Sequence, residues 1–294
     1  MALRRLPGLC ANALQRGASQ RRHLSLLEHR HLRGVVEYDA AQDIQDRHRA
    51  QFLSWKALSD DVRRRAPSPR PLLLSFESSP TFTVGRRQDD LDAAQVSRLR
   101  QSLRVELTRR HEPIVQSRRP EVKKTSRGGL TTYHGPGQLV FWPVIDMHSP
   151  LHAKFGVASY AAHLEATTQR LLTELFGIQT STVRDEPGVW VDASSRHPRK
   201  IAAMGVHHRR HVTALGLALN VDIPVTGGQD VNPWARFVPC GLHGKDVTSV
   251  AAELGSAGPD TWDLVRIAEH WAAIFEQGLL EGESLDSEKG SVKR

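Results

Sequence analysis

A glycine-punctuated stretch, SRGGLTTYHGPGQLVFWPVIDM from Ser126 to Met147, most constrains how this 294-residue chain can fold. Its first half places four glycines among a few polar side chains, and its continuation, Leu139–Ile145, is an apolar run. Glycine lets the backbone approach a ligand, or turn, where a Cβ atom would clash. The pattern therefore predicts a binding loop that is held in place by a buried strand.

The N-terminal segment has a different composition from the rest of the chain. Residues 1–27 contain five arginines and no acidic residue, and leucines are spaced so that they can share one helical face. This composition is typical of a mitochondrial transit peptide, with cleavage expected near Arg21–Leu26. A basic tail that binds nucleic acid is the alternative. The five arginines account for +5 of the formal net charge of +8, which leaves +3. The charge therefore does not indicate a nucleic-acid partner.

Cysteine content and hydropathy limit the compartment and the domain organisation. The chain has two cysteines, Cys10 and Cys240, and removal of the leader would leave Cys240 alone. A single cysteine forms no intrachain disulfide, which fits the reducing mitochondrial matrix. No stretch approaches the roughly 18 uncharged apolar residues of a membrane span. We expect one catalytic domain over residues 28–280 and a charged, disordered tail over residues 281–294.

Hydrophobic periodicity alternates between helix and strand, which predicts an α/β fold with a mixed sheet and flanking helices. Helices are predicted over Asp39–Arg63, Leu91–Leu103, Ala158–Phe176, Thr248–Leu254 and Asp260–Gly278. Strands are predicted over Leu72–Phe76, Thr81–Val84, Val105–Thr108, Ile114–Gln116, Gly188–Asp192, Lys200–Val206 and Leu215–Val221. The charged run RRPEVKK, Arg118–Lys124, is expected to form an exposed loop or insertion.

Cys240 lies in the sequence VPCGL, between residues that interrupt strands. A thiol on such an exposed turn is accessible as a nucleophile, although free cysteines are more often buried fillers. Because an ordinary thiol has a pKa near 8.5, nucleophilic attack at neutral pH requires a nearby cation or base. Lys200, at the start of the packed run KIAAMGV, is the best candidate, and a plain surface lysine is the alternative.

The segment HHRRH contains His207, His208 and His211 and suggests a metal site. Adjacent histidines on a strand point to opposite faces, and the intervening arginines repel a cation. No cysteine or carboxylate within the segment completes a ligand set. We therefore predict no metal site here.

Five separated motifs occur in a specific order: RGGLTTYHGPGQLVFWPVIDM, EPGVWV at 186–191, KIAAMGV at 200–206, GLALNVD at 216–222 and VPCGL at 238–242. Together they resemble the lipoyl(octanoyl) transferases, in their mitochondrial form, over roughly residues 70–255. The resemblance implies the α/β fold shared with lipoate and biotin ligases. It also implies transfer of an octanoyl group from acyl carrier protein to a lysine of lipoyl domains, the acceptor modules of 2-oxoacid dehydrogenases and of the glycine cleavage H protein.

The resemblance also assigns roles to residues of this chain. It implies that Cys240 is the acyl-thioester nucleophile and that Lys200 lowers its pKa. The implied substrate-binding residues are Arg127, Gly128, Gly129, Leu130, Thr131, Thr132, Tyr133, His134, Ala203, Met204, Gly205, Gly216, Leu217 and Ala218. We expect no cofactor, no metal, no nucleic acid and no membrane association, and we expect a monomer.

This chain departs from the family pattern in two places. Leu215 stands where the family usually has a histidine before the Gly-Leu-Ala segment, and Arg118–Lys124 is enlarged. Basic side chains in that enlargement could steer acidic carrier proteins or simply keep a loop solvated. The acyl chain needs an apolar slot, and four side chains are expected near it: Leu139, Val140, Met204 and Leu217.

Three alternative functions remain open from the sequence. An ATP-dependent lipoate or biotin ligase of the same fold would need no cysteine, and the chain has no GxxxxGK[ST] phosphate loop. A non-catalytic relative would bind lipoyl domains without forming an acyl-enzyme. An RNA-binding protein would carry an aromatic and basic module, which is not evident here.

Overall fold

The computed structural model describes residues 25–192, 197–237 and 246–282. Its helices are α1 (Tyr38–Trp55), α2 (Asp60–Arg65), α3 (Ala93–Leu99), α4 (Val157–Phe176), α5 (Val250–Leu254) and α6 (Leu264–Glu281). Its strands are β1 (Glu28–Val36), β2 (Leu72–Ser78), β3 (Thr81–Val84), β4 (Leu103–Leu107), β5 (Ile114–Arg118), β6 (Glu121–Lys124), β7 (Thr132–His134), β8 (Gln138–Val144), β9 (Ser181–Val183), β10 (Glu186–Val191), β11 (Arg199–Arg209), β12 (Val212–Asn220) and β13 (Asp246–Val247).

The main sheet has the strand order β1-β2-β8-β12-β11-β10-β9, and β13 pairs with β11. β1 runs parallel to β2, and β13 runs parallel to β11, whereas the neighbours from β2 to β9 are antiparallel. The predicted α/β fold with a mixed sheet is therefore confirmed. Both faces are covered, so β8 and β12 are buried along their whole length.

One face of the main sheet packs against α4 and α6. Phe141 of β8 stacks on Trp271 of α6, with ring centroids 4.3 Å apart, and Leu139 belongs to the same buried cluster. α1 covers the other face, where Tyr38 meets Trp142 edge to face at 5.2 Å. Alternate residues of β8 therefore belong to two different cores.

A smaller sheet with the order β6-β3-β7 and a β4–β5 hairpin lie beside the main sheet. Phe82 of β3, Tyr133 of β7 and Trp234 form an aromatic cluster there. β7 leads through a short turn into β8, so the glycine-rich segment passes from the small sheet into the main one.

Several local predictions differ from the structure. The helix predicted over Leu91–Leu103 ends at Leu99, and Leu103 begins strand β4. The helix predicted over Asp39–Arg63 is two helices, because the chain leaves helical geometry at Ser59 before α2 begins. The run Arg118–Lys124 is not a loop throughout, since Glu121–Lys124 pairs with β3 as strand β6. β1 was not predicted, because it pairs along one edge and its charged and histidine residues hide the apolar pattern.

The helices of the described ranges lack the combination of length and apolar character that crossing a bilayer requires.

Candidate active site

The turn between β7 and β8 is clamped by buried charges. The backbone N–H of Gly137 donates to Glu77 Oε1 at 2.8 Å, and Arg110 holds the same carboxylate at 2.8 Å. Arg110 also contacts Asp222 at 2.5 Å. Burial raises the pKa of Glu77, while the Arg110 guanidinium opposes that rise. The ion triad therefore fixes the HGPG turn against the end of β12.

Arg127 is almost fully buried at the start of the glycine-rich segment. Its Nε donates to Thr83 Oγ1 at 3.0 Å, and its Nη2 donates to the Thr83 carbonyl at 2.5 Å. These contacts hold the guanidinium against β3. A Cβ atom on Gly205 would lie 3.0 Å from Arg127 Cδ, so the glycine in β11 leaves room for this side chain.

A narrow cavity of about 30 Å³ lies between the glycine-rich segment and the strands β11 and β12. Its lining residues are Tyr38, Arg127, Thr132, His134, Val140, Trp142, Ala203, Met204, Gly205, Leu215, Gly216, Leu217 and Ala218. Gly216 allows β12 to pack closely on β8, because a Cβ atom there would lie 2.2 Å from the carbonyl oxygen of Phe141. The result is a slot with mostly apolar walls and a few polar groups, which is typical of a small-molecule site.

The structure brings together nine of the fourteen residues that the resemblance assigned to substrate binding, from three separate parts of the chain. The other five do not line the cavity: Gly128, Gly129, Leu130, Thr131 and Tyr133. Tyr133 alternates with its neighbours on β7, so its ring joins the aromatic cluster with Phe82 instead. Leu139, which was expected near the slot, faces α4 and α6 for the same reason.

Two cavity residues, Tyr38 and Trp142, were not predicted. Trp142 shares the face of Val140 on β8, so strict alternation along the apolar run could have identified it. Tyr38 begins α1 and lies 5.8 Å from the His134 ring, a contact between residues that are far apart in the sequence. No local signal identifies such a residue.

His134 lies on the cavity wall in a defined tautomer. The Tyr133 carbonyl can only accept a hydrogen bond, so the 3.2 Å contact assigns the Gln138 amide nitrogen to that side. Gln138 Oε1 therefore faces His134 Nδ1 at 2.8 Å, and Nδ1 carries the proton. Burial, together with the nearby Arg127 guanidinium, lowers the pKa of His134 to about 4. At neutral pH the ring is uncharged, and its Nε2 is a hydrogen-bond acceptor.

The hydrogen bonds continue from Gln138 toward Lys200. Gln138 Nε2 donates to Asn220 Oδ1 at 2.9 Å, and Asn220 Nδ2 donates to the Thr248 carbonyl at 2.9 Å. The Thr248 N–H then donates to the Lys200 carbonyl at 3.0 Å. This network connects the cavity histidine with the backbone of the candidate catalytic lysine.

Lys200 is buried at the start of β11, with 6% of its surface exposed. Its Nζ donates to the Pro187 carbonyl at 3.1 Å and lies 4.5 Å from the centroid of the Trp190 ring. The residue after Pro187, Gly188, pairs with Ala203, which lines the cavity. The ammonium is thus held between β11 and β10, two neighbouring strands whose Gly188–Ala203 pair adjoins the slot. A surface lysine at a strand start, the alternative from the sequence, is wrong.

Cys240 lies outside the described residues, as does the rest of segment 238–245. The described chain resumes at Asp246, and β13 pairs directly with Arg199 and Lys200 of β11. Before the segment, Phe237 packs against Phe82 at 5.5 Å. The role of Cys240 therefore stays a prediction.

The other sequence candidates have ordinary structural surroundings. His208 and His211 stack at 6.4 Å near the β11–β12 turn, and His211 stacks on His148 at 3.8 Å. Within the described residues, no three histidine, cysteine or carboxylate side chains come together as a metal site would require. In the basic run, Lys123 pairs with Asp39 and Lys124 with Asp90.

Comparison with known proteins identifies a family to which this chain is similar. Residues 56–276 match the model of the lipoyl protein ligase A/B catalytic domain. An octanoyltransferase of Koribacter versatilis is 34% identical over 255 residues, which cover 86% of this chain and 86% of that protein. The mitochondrial octanoyl-[acyl-carrier-protein]:protein N-octanoyltransferase of Danio rerio is 33% identical over 252 residues, which cover 86% of this chain and 94% of that protein. A solved bi-partite lipoate protein ligase from Thermoplasma acidophilum superimposes with a TM-score of 0.49 at 12% identity, covering 86% of this chain and 84% of that one.

The family model and the curated relatives show that this chain belongs to the lipoyl protein ligase A/B catalytic family, and within it to the octanoyltransferases. Octanoyltransferases are acyltransferase enzymes, and the reaction they catalyse is octanoyl transfer in protein lipoylation. The resemblance identified from the five sequence motifs is confirmed.

Proposed function

We propose that this chain transfers an octanoyl group from octanoyl-acyl carrier protein to a lysine of lipoyl domains, through a thioester on Cys240. The acceptors in this proposal are the lipoyl domains of 2-oxoacid dehydrogenases and the glycine cleavage H protein. The observation that carries the proposal is the apolar slot beside the buried Lys200, with Ala203 and Gly205 forming part of its wall. Burying the seven tail carbons at ~0.8 kcal/mol each supplies several kcal/mol of binding free energy.

In the first half-reaction, the Cys240 thiolate attacks the thioester carbonyl carbon of the donor. A new C–S bond forms to Cys240, the C–S bond to the carrier's pantetheine breaks, and the departing thiolate takes the proton of the Lys200 ammonium, which leaves Lys200 neutral. The Lys200 ammonium stabilises the attacking thiolate, since a nearby cation lowers a thiol pKa. Backbone N–H groups near Cys240 and around Gly128–Gly129 are candidate donors to the oxyanion.

In the second half-reaction, the acceptor lysine loses a proton and its amine attacks the acyl-enzyme. A C–N bond forms, the C–S bond to Cys240 breaks to release its thiolate, and of the two protons that the acceptor ammonium gives up one goes to neutral Lys200 and one to solvent. With a pKa of about 4, His134 accepts a hydrogen bond through Nε2 but does not hold a proton at neutral pH. Of the two bases considered, Lys200 is therefore the better proton acceptor in this proposal.

Energetics, charge and location complete the proposal. Exchange between thioesters is nearly neutral in free energy and amide formation from a thioester is favourable, so the reaction needs no nucleotide. Arg119 precedes the binding loop and is placed to attract acidic carrier proteins, whereas Arg118, Lys123 and Lys124 are paired with carboxylates of this chain. The arginine-rich leader and the mitochondrial relative from Danio rerio support location in the mitochondrial matrix. We expect the enzyme to act as a monomer without a cofactor.

Intact-mass spectrometry after incubation with octanoyl-acyl carrier protein, without ATP, tests the proposal. We expect a gain of one octanoyl group on the wild-type protein and no gain on Cys240→Ala. Cys10→Ala is the matched control, because it removes the other cysteine and should leave the adduct unchanged. Addition of a lipoyl domain should then discharge the adduct onto one acceptor lysine.

The alternatives give different results in the same assay. ATP-dependent acylation that survives Cys240→Ala would identify a ligase. Binding of the lipoyl domain without an adduct or a modified acceptor would identify a non-catalytic relative. Either result would overturn the thioester mechanism.

A further inference from the structure

Leu215 has an unusual backbone conformation in the middle of β12. Its φ angle is +61°, a left-handed value that side chains other than glycine, asparagine and aspartate rarely adopt. The pairing register with β11 nevertheless runs without a break, with Leu215 opposite Val206 and Gly216 opposite Gly205. The strain is therefore local to one residue that also lines the cavity.

The positive φ places the Leu215 side chain on the opposite face of the sheet from the one expected. Alternation along β12 assigns Leu215 to the face of Leu217 and Leu219, which pack in the core with α4 and α6. Leu215 instead belongs to the cluster under α1, with Ala214 and Ala218. This is the face on which the cavity opens.

A side chain of α1 stabilises this conformation. Gln45 is buried, and its Oε1 accepts a hydrogen bond from the Leu215 N–H at 2.5 Å. The Leu215 N–H therefore has a specific partner on α1, the helix that covers the face on which the Leu215 side chain lies.

The Leu215 side chain separates two different chambers. On one side is the mostly apolar cavity, and on the other is a polar chamber whose lining includes Leu215 itself together with Gln45, Asp46, Arg49 and Lys124. Within the described residues, the Arg49 Nε and Nη2 atoms are buried and have no hydrogen-bond partner. An alkyl tail passing Leu215 would enter this charged environment, which disfavours methylene groups.

We propose that Leu215 is the end wall of the acyl slot and sets the length of the acyl chain that this enzyme accepts. This inference rests on the proposed function. Lys200 is held beside Pro187, next to the Gly188–Ala203 pair, and Leu215 lies opposite Val206. From Ala203 to Val206 the strand advances about 10 Å at ~3.3 Å per residue. An extended eight-carbon chain, with staggered bonds of about 1.5 Å, is roughly 9 Å long.

The test is the acyl-length profile of Leu215→Gly, measured as kcat/KM for carrier-bound thioesters of six to fourteen carbons. Glycine adopts the positive φ without strain, which offsets only part of the stability lost with a buried leucine side chain, so we expect a folded protein of lower thermal stability. The optimum should move to ten or twelve carbons, and the dodecanoyl-to-octanoyl ratio should rise about tenfold or more, since one methylene in a pocket is worth ~10-fold or more in discrimination. An unchanged ratio would overturn the proposal.

Arg210→Gly is the matched control. Arg210 also has a positive φ, +51°, and lies in the turn between the same two strands, away from the cavity lining. This variant should keep the octanoyl optimum. A change in acyl-length preference as large as that of Leu215→Gly would show that relief of backbone strain, rather than removal of the end wall, is responsible. Leu215→Ala provides a second, smaller opening, with an intermediate shift expected.

Thermal shift with free octanoate and dodecanoate separates failure of this inference from failure of the proposed function. A wild-type protein that transfers no acyl group would reject the proposed function. If dodecanoate stabilises Leu215→Gly more than octanoate does, and octanoate stabilises the wild type more than dodecanoate does, Leu215 is still supported as the end wall of the slot. The same order of stabilisation by the two fatty acids in both proteins would reject Leu215 as the end wall.

Discussion

His134 Nδ1 and Gln138 Oε1 are joined by a 2.8 Å hydrogen bond in the wall of the cavity. Because the same Gln138 amide donates to the Tyr133 carbonyl and to Asn220 Oδ1, one side chain fixes the imidazole tautomer and connects two strands. Its replacement by leucine leaves three buried polar groups without a partner. We expect Gln138→Leu to lower the free energy of unfolding by about 2–3 kcal/mol.

The tautomer is a second measurement for the same variant. ¹⁵N NMR of the wild-type protein should show His134 protonated at Nδ1 and unprotonated at Nε2, and Gln138→Leu should show a mixture. Gln277→Leu is the control, because that glutamine makes only exposed hydrogen bonds among those described and should change stability by less than about 0.5 kcal/mol. A single Nδ1-protonated tautomer in Gln138→Leu would show that Gln138 does not select it.

Lys200→Met should slow formation of the acyl-enzyme by about 100-fold or more, because the cation that stabilises the thiolate is lost. The rate of Cys240 alkylation by iodoacetamide should then depend on pH with a midpoint near the ordinary thiol pKa of about 8.5. Methionine keeps an apolar stem over Trp190, so the fold should be retained. Lys154→Met removes an exposed lysine and should change neither measurement. An unaltered pH dependence of alkylation in Lys200→Met would show that Lys200 does not lower the pKa of the Cys240 thiol.

Gly216→Ala should be strongly destabilising. Its Cβ atom would lie 2.2 Å from the Phe141 carbonyl oxygen, and backbone in the middle of a sheet cannot move aside easily. We expect a loss of about 3 kcal/mol in urea unfolding. Gly128→Ala is the comparison for stability alone, since no atom lies within 4 Å of its added Cβ, and its free energy of unfolding should stay within about 0.5 kcal/mol. Equal stability of the two variants would contradict the close packing of β12 on β8.

Acid should destabilise the protein through its buried histidines. Burial lowers the pKa of His29, His134 and His163 to about 4, whereas an unfolded chain has histidine pKa values near 6.5. Between these values the unfolded chain binds protons that the folded chain does not. The stabilising contribution is therefore complete above about pH 6.5 and is lost as the pH falls to about 4.

His134 and His163 each contribute up to about 3 kcal/mol over that interval, and the partly exposed His29 contributes less because solvent screens its charge. Urea unfolding at pH 7, 6 and 5 should show the loss, and His163→Gln should reduce the slope by one proton. Glutamine retains a donor for the Phe275 carbonyl that His163 contacts at 3.1 Å. A free energy of unfolding that is constant from pH 7 to 4.5 would rule out these neutral histidines.

Much of the local structure was predictable because its signals are short-range. Thr81–Val84 and the helix ending before Gly177 follow directly from β-branched residues and from a glycine that takes φ +67°. The chemistry of the site was also local, since Arg127, His134 and Lys200 lie in motifs that stand out in one sequence. β1 and β6 were missed because their polar side chains carry no periodic signal, and pairing with β2 and β3 decides their structure.

The sequence by itself determined the α/β class, the family and the order of the motifs, since periodicity and residue chemistry operate over a few neighbouring positions. Only the tertiary structure decided that β8 lies between β2 and β12, which brings Tyr38 to His134 and Gln138 to Asn220. It also decided the direction of Leu215, because a positive φ held by Gln45 overrides the alternation that the strand pattern predicts. Contacts between distant residues depend on strand order and on strain at single positions, and neither is encoded in a local pattern.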